Sequence, residues 1–118
     1  RLSVNVGAQL WTARDGQQLH TLRSLEPLTS GFWVRFNARN NQGLPFPDTY
    51  KVEWRVTNTD EVARRANALR GDYYRSDSSG VRWEQLSYRG VHMVEAFLIR
   101  KTDDVLLGKS EPFYVVIE

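Results

Sequence analysis

Polar and aromatic residues that could contact a ligand are concentrated in the second half of the chain. Arg70-Gly71 places a guanidinium beside backbone that carries no side chain, which suits a phosphate group. Trp54 and Tyr88 carry aromatic rings on which a nucleic-acid base could stack. His92 and Glu95 could hydrogen-bond the edge of such a ring. The candidate ligand-binding residues are Trp54, Asn58, Arg70, Gly71, Glu84, Tyr88, His92 and Glu95.

Each of these residues also has an ordinary structural interpretation. Trp54 lies on the apolar face of a predicted strand and could belong to the core, and Asn58 could cap a helix. Arg70 could pair with a glutamate of a neighbouring strand. His92 alternates with Val94, which fits burial with a hydrogen bond as well as exposure. The sequence alone leaves these alternatives open.

The residue patterns of common catalytic sites are missing from the sequence. There are no cysteines, which excludes thiolate nucleophiles and Cys-rich zinc sites, and His20 and His92 do not have metal-ligand spacing. Glu84 and Glu95 could approach each other across a hairpin, but two carboxylates alone do not make a hydrolase. Neither a Gly-x-Ser-x-Gly elbow nor a phosphate-binding Gly-Lys-Ser/Thr loop is found. We therefore expect no enzymatic activity, no catalytic or metal-binding residues and no cofactor.

Alternation of apolar and polar residues with a period of two dominates the chain and predicts strands. Turn-forming Gly, Pro, Asn and Asp residues separate the alternating segments, which predicts an all-β fold, an Ig-like antiparallel β-sandwich of about seven strands. The predicted strands are Leu2–Trp11, Ser30–Ala38, Thr49–Thr57, Val81–Tyr88, His92–Arg100, Val105–Leu107 and Pro112–Ile117.

Two local features are predicted between these strands. Asp60–Ala68 has acidic residues first and arginines later, which suits the helix dipole and predicts one short connecting helix near residues 60–68. Gly90 allows a tight turn, which predicts a hairpin of Val81–Tyr88 with His92–Arg100. Asn40–Asp48 and Asp72–Gly80 are predicted to be loops.

Length and composition fit a single domain over residues 1–118. Hydrophobic residues make up 41% of the chain and charged residues 25%, as in ordinary globular proteins, and no apolar run is long enough to span a membrane. We do not expect nucleic-acid binding, because the net charge of +2 is too small to argue for it, although 13 of the 16 basic residues are arginines. The absence of cysteine fits a cytoplasmic location. Because the chain begins at Arg1 without an initiator Met, we interpret it as a piece of a longer protein.

The combination of several short motifs resembles one known family. These motifs are the run Val52–Ala66, then Leu69-Arg70-Gly71, Glu84 and the run Tyr88–Ile99. Over about residues 30–117 the chain resembles the adenylyl/guanylyl cyclase and SMODS C-terminal sensor domain, which follows the catalytic domain in bacterial anti-phage signalling proteins. One departure is Asp60, where the family pattern leads us to expect glycine. The resemblance implies a non-catalytic sensor that forms the C-terminal fragment of a longer protein and is attached to a cyclase or nucleotidyltransferase domain.

Two hypotheses of function follow from these observations. In the first, the domain binds a nucleotide second messenger or derivative, with its phosphate at Arg70 and its base against aromatic rings. In the second, the domain recognises a phage protein or another protein partner through the sandwich surface. For that alternative, Trp11, Trp33 and Trp83 would supply interface anchors if they are exposed. Binding of single-stranded nucleic acid is a more distant third, because the scattered arginines form no obvious track.

Overall fold

A computed structural model describes residues 1–58 and 72–118 and folds them into ten β-strands. The strands are β1 (Asn5–Trp11), β2 (Gln18–Leu22), β3 (Pro27–Leu28), β4 (Trp33–Arg39), β5 (Tyr50–Asn58), β6 (Asp72–Arg75), β7 (Val81–Glu84), β8 (Gly90–Arg100), β9 (Val105–Lys109) and β10 (Phe113–Ile117). The prediction of an all-β sandwich is confirmed. The helix predicted near residues 60–68 lies outside the described residues.

Two sheets form the sandwich. The four-stranded sheet has the order β2-β1-β4-β7, and the six-stranded sheet has the order β3-β10-β8-β5-β6 with β9 also paired to β8. Strand β8 is central in its sheet. Strand β5 pairs with one edge of β8, and β10 and β9 pair with successive parts of its other edge. These pairs are antiparallel, as predicted, except for the parallel pair of β10 with β3.

Alternating apolar residues explain which face of each strand is buried. In β5, Val52 and Trp54 point into the core, while the charged residues that alternate with them along the strand point to the opposite face. The ring of Trp54 lies 6.2 Å from the ring of Phe36 on the other sheet, and Phe36 lies 6.0 Å from Phe113. The two sheets therefore pack through one continuous aromatic and aliphatic core.

The predicted hairpin around Gly90 is wrong. Strand β7 pairs with β4 in the four-stranded sheet, whereas β8 pairs with β5, β9 and β10 in the other sheet. Residues 85–89 instead cross from one sheet to the other, with Leu86 buried in the core. Gly90 has a φ of 109° and begins β8 at the end of this crossover.

Three strands were not predicted, namely β2, β3 and β6. Strand β2 has four exposed residues out of five, and β3 has only two residues, so neither has a clear apolar alternation. Strand β6 begins at Asp72, within a segment that was predicted to be a loop. Within residues 1–58 and 72–118, no helix is long and apolar enough to cross a membrane.

Candidate functional site

An open cleft lies where β5 and β6 meet the loops at one end of the sandwich. Its volume is about 530 Å³, which is within the range typical of small-molecule sites. Three separate parts of the chain form it: residues 45–53, residues 75–80 and the turn after β8. The lining residues are Pro45, Phe46, Asp48, Tyr50, Lys51, Val52, Glu53, Arg75, Ser76, Ser78, Ser79, Gly80 and Lys101.

The cleft contains three cations, Lys51, Arg75 and Lys101, and two carboxylates, Asp48 and Glu53. The three cations differ in whether they form an ion pair. Lys51 donates to Asp104, with Nζ and Oδ1 2.8 Å apart, and its Nζ lies 3.8 Å from Glu53. The hydrogen bond to Asp104 raises the pKa of Lys51 above its ordinary value. By contrast, the ion pairs found among residues 1–58 and 72–118 include neither Arg75 nor Lys101. These two cations therefore remain able to bind an anion.

Hydroxyl groups on the connection between β6 and β7 form one wall of the cleft. Two hydrogen bonds to β5 hold the side chain of Ser76. Its Oγ donates to the carbonyl of Val52 at 2.7 Å and accepts from the indole N–H of Trp54 at 3.0 Å. Ser78 and Ser79 are exposed and can donate to a ligand. Hydroxyl donors next to cations are suited to phosphate or carboxylate oxygens.

The segment that carries these serines is held by hydrogen bonds of Asp77. The backbone N–H of Asp77 donates to the carbonyl of Val81 at 2.6 Å, and the carboxylate of Asp77 accepts from the N–H of Trp83 at 2.7 Å. Gly80 closes the turn with a φ of 67°, and its carbonyl accepts from the N–H of Ala38. These contacts attach the wall to the four-stranded sheet, and the hydrogen bonds of Ser76 attach it to β5 in the six-stranded sheet.

Aromatic residues also line the cleft. Phe46 and Tyr50 are partly buried and pack against the core, so each ring has one supported face. The N–H of Tyr50 donates to the carbonyl of Pro47, which fixes the entry into β5. A cleft lined by cations, hydroxyl groups and aromatic rings can accommodate an anionic molecule that contains a flat ring.

Three of the predicted ligand-binding residues lie near the opposite end of β5. Asn58 pairs with His92 in the sheet register, and both side chains are buried. The Nε2–H of His92 donates to the carbonyl of Tyr88 at 2.6 Å, while the Tyr88 side chain is 39% exposed. The structure therefore brings these three residues together, although none of them lines the cleft. Arg70 and Gly71 lie outside the described residues.

The other predicted residues do not join this group. The ring of Trp54 has no exposed surface and belongs to the core, so it offers no free face on which a base could stack. Glu84 lies on β7 in the four-stranded sheet and accepts from Arg82 at 2.6 Å. Because β7 and β8 are in different sheets, Glu84 and Glu95 do not face each other across a hairpin as predicted.

Glu95 is buried on the outer face of the six-stranded sheet, where both of its oxygens have partners. Its Oε1 accepts from Arg55 at 2.9 and 3.0 Å, and its Oε2 lies 3.0 Å from the ammonium of Lys109. The Arg55 and Lys109 side chains also lie over the rings of Tyr73 and Phe97. This carboxylate is engaged by two cations and is not available to a ligand in this arrangement.

Sequence reasoning missed the residues that line the cleft, because they come from distant segments. One available signal was the scarcity of lysine, since two of the only three lysines, Lys51 and Lys101, line this cleft. Another was the hydroxyl-rich run Ser76–Gly80, which lies within the predicted loop Asp72–Gly80. The described residues contain no group of three or more His, Cys, Asp or Glu side chains that could hold a metal ion.

An all-β sandwich with an open polar and aromatic cleft is typical of a binding domain. The family model for the adenylyl/guanylyl and SMODS C-terminal sensor domain matches residues 2–118, so the chain belongs to this family of sensor domains. The match extends beyond the residues that carried the resemblance in the sequence. A search of curated proteins found no match.

Proposed function

We propose that this sensor domain binds a nucleotide second messenger, or a derivative of one, in the cleft between β5, β6 and their loops. The observation that carries the proposal is the pairing of Arg75 and Lys101 with aromatic residues in one cleft of about 530 Å³. Membership of a sensor-domain family supports the same conclusion. The site differs from the one proposed from the sequence, which was centred on Arg70.

The arrangement of the cleft suggests how such a ligand is held. A phosphate contacts Arg75 and Lys101 and accepts hydrogen bonds from the hydroxyls of Ser78 and Ser79. A base packs against the ring of Phe46. The carboxylates of the cleft, which are hydrogen-bond acceptors, then face N–H or O–H donors of the base or sugar.

The signalling context is part of the same proposal. The domain acts without catalysis of its own and regulates a covalently attached cyclase or nucleotidyltransferase domain in a cytoplasmic bacterial anti-phage protein. Binding of the ligand stabilises one state of the domain, and the difference in affinity between two states sets how far the equilibrium moves.

Thermal unfolding and calorimetry with defined ligands test the proposal. The panel consists of cyclic mononucleotides, cyclic di- and trinucleotides, nucleoside triphosphates and inorganic phosphate. A ligand at about 100 times its Kd should add about 2.7 kcal/mol to the free energy of unfolding. Absence of binding by every nucleotide at millimolar concentration would contradict the proposal.

Variants locate the site. Arg75→Ala and Lys101→Ala should each weaken nucleotide binding at least tenfold. Arg23→Ala is the matched control, because Arg23 is exposed on the connection between β2 and β3, at the edge opposite to β6 and β7. Arg70→Ala tests the site predicted from the sequence. If only Arg70→Ala abolishes binding, the ligand binds elsewhere than in the cleft.

A further inference from the structure

The outer face of the four-stranded sheet carries tryptophans and arginines. We call it the Trp–Arg face, and define it by the outward side chains of Gln9, Trp11, Trp33, Arg35, Asn37, Arg39 and Trp83. Their outward direction follows from the register, because the alternate positions Leu10, Val34 and Phe36 are buried in the core.

The tryptophans occupy one end of this face. Trp11 lies opposite Trp33 in the β1–β4 register, and the rings of Trp11 and Trp83 make an edge-to-face contact with centroids 5.0 Å apart. Trp83 is buried, while Trp11 and Trp33 are partly exposed. The indole N–H of Trp11 is buried and has no hydrogen-bond partner within the described part of the chain. The aromatic end is thus packed, with two rings still reachable.

The arginines follow Trp33 along β4, with Arg35 opposite Trp83 and Arg39 at the end of the strand, and their hydrogen-bond partners within residues 1–58 and 72–118 are neutral. Arg35 donates to Gln9 at 3.4 Å, and Asn37 donates to the same oxygen at 3.1 Å. Arg39 donates to Asn37 at 3.3 Å and to the carbonyl of Gly43 at 3.2 Å. These hydrogen bonds hold the guanidinium groups in place without neutralising them.

Within the part of the chain that the structure describes, no carboxylate compensates these two charges on the Trp–Arg face. None of the seven outward side chains that define it is acidic, and the ion pairs of residues 1–58 and 72–118 include neither arginine. A pair of oriented, uncompensated guanidinium groups beside tryptophans has the composition of protein-interaction hot spots. Its charge is complementary to an acidic partner surface.

We propose that the Trp–Arg face binds an acidic surface of a protein partner. Carboxylates of the partner pair with Arg35 and Arg39, while apolar side chains contact Trp11 and Trp33. A protein fits better than single-stranded nucleic acid, because Trp83 is buried and the Trp11 and Trp83 rings pack edge to face, so they do not form a row of free stacking surfaces. The proposal does not depend on ligand binding in the cleft.

The test is an NMR titration of the indole N–H signals of the four tryptophans. The probes are an acidic peptide of alternating Glu and Leu, the same peptide with Lys in place of Glu, and a twelve-residue oligothymidylate. The acidic peptide should shift the signals of Trp11 and Trp33, whereas the signal of Trp54, in the core, serves as an internal reference. Single Trp→Phe variants assign the four signals.

Charge-reversal variants distinguish binding at the Trp–Arg face from general electrostatic attraction between the peptide and the protein. Arg35→Glu should weaken binding of the acidic peptide at least tenfold, and Arg23→Glu, at the edge formed by β2 and β3, should weaken it less than twofold. Arg39→Gln, at an exposed position, provides a second variant that retains the fold. Unchanged Trp11 and Trp33 signals at millimolar acidic peptide, equal binding of the Lys peptide, or tighter binding of the oligothymidylate would overturn the proposal.

Discussion

Glu84 shows how the position of one side chain shifts its pKa. Its strand partner Val34 faces the core, so Glu84 points toward the space between the sheets, where Arg82 contacts it. Burial raises the pKa of Glu84 above its ordinary value, and the nearby Arg82 opposes this shift only in part. The folded state therefore holds the Glu84 proton more tightly than the unfolded state does.

The pH dependence of stability follows from this raised pKa. As pH rises from the ordinary pKa of Glu through the raised folded value, deprotonation of Glu84 lowers the free energy of unfolding. Glu84→Gln should remove this decline, by at most about 1.4 kcal/mol per pH unit, the limit for a single proton. Urea unfolding of both proteins between pH 4 and pH 8 measures the difference. Parallel pH profiles for the two proteins would show that Glu84 titrates normally.

A second residue-scale prediction concerns the charge of Lys51. Asp104 holds this ammonium at 2.8 Å and so competes with any anion in the cleft. Asp104→Asn should raise the affinity for inorganic phosphate by about fivefold at most, because an exposed ion pair is weak. Asparagine tolerates the positive φ of 55° at this position. Asp103→Asn is the control, because Asp103 pairs with Arg100, and calorimetry should show no gain for it.

At the scale of elements, the connection from β6 to β7 joins the two sheets and forms a wall of the cleft. Its turn depends on Gly80, which has a φ of 67°. A side chain at this position would place its Cβ 3.3 Å from the carbonyl oxygen of Ala38. A further contact joins β7 to β6, because the guanidinium of Arg82 lies 4.4 Å from the ring centre of Tyr74. Small changes in this turn therefore affect both the closure of the sandwich and the position of Ser78.

Gly80→Ala should destabilise the protein more than Gly43→Ala does. Both glycines have positive φ, so each substitution costs about 1–2 kcal/mol for the left-handed conformation. Only at Gly80 does the added methyl group also meet backbone, because nothing lies within 4 Å at Gly43. Urea unfolding of the two variants gives the comparison. Equal losses would mean that the turn yields to the added methyl group without cost.

For the molecule as a whole, the sequence could predict what depends on local alternation. The inward positions of β5, including Trp54, could be predicted from the sequence because apolar and charged residues alternate there. The environment of Glu95 was not, because its cations Arg55 and Lys109 come from β5 and β9 and meet it only through the register of three strands. The cleft was missed for the same reason. Its cations Lys51, Arg75 and Lys101 belong to three segments whose proximity depends on tertiary structure.

Trp54 links the core of the whole molecule to the cleft, and a double-mutant cycle can measure that link. Its ring packs toward Phe36 of the other sheet, and its N–H donates to Ser76 in the cleft wall at 3.0 Å. Ser76→Ala leaves a buried N–H without a partner and should cost about 1–3 kcal/mol, whereas Ser78→Ala, at an exposed hydroxyl, should cost less than about 0.5 kcal/mol. Trp54→Phe removes the same donor and should also destabilise.

Because the two substitutions remove the two partners of one hydrogen bond, their effects should not add. Trp54→Phe combined with Ser76→Ala should destabilise by about 1 kcal/mol less than the sum of the single variants. Urea unfolding of the four proteins gives this coupling energy. A value within about 0.3 kcal/mol of zero would mean that the core and the cleft wall are energetically independent, in spite of the contact between them.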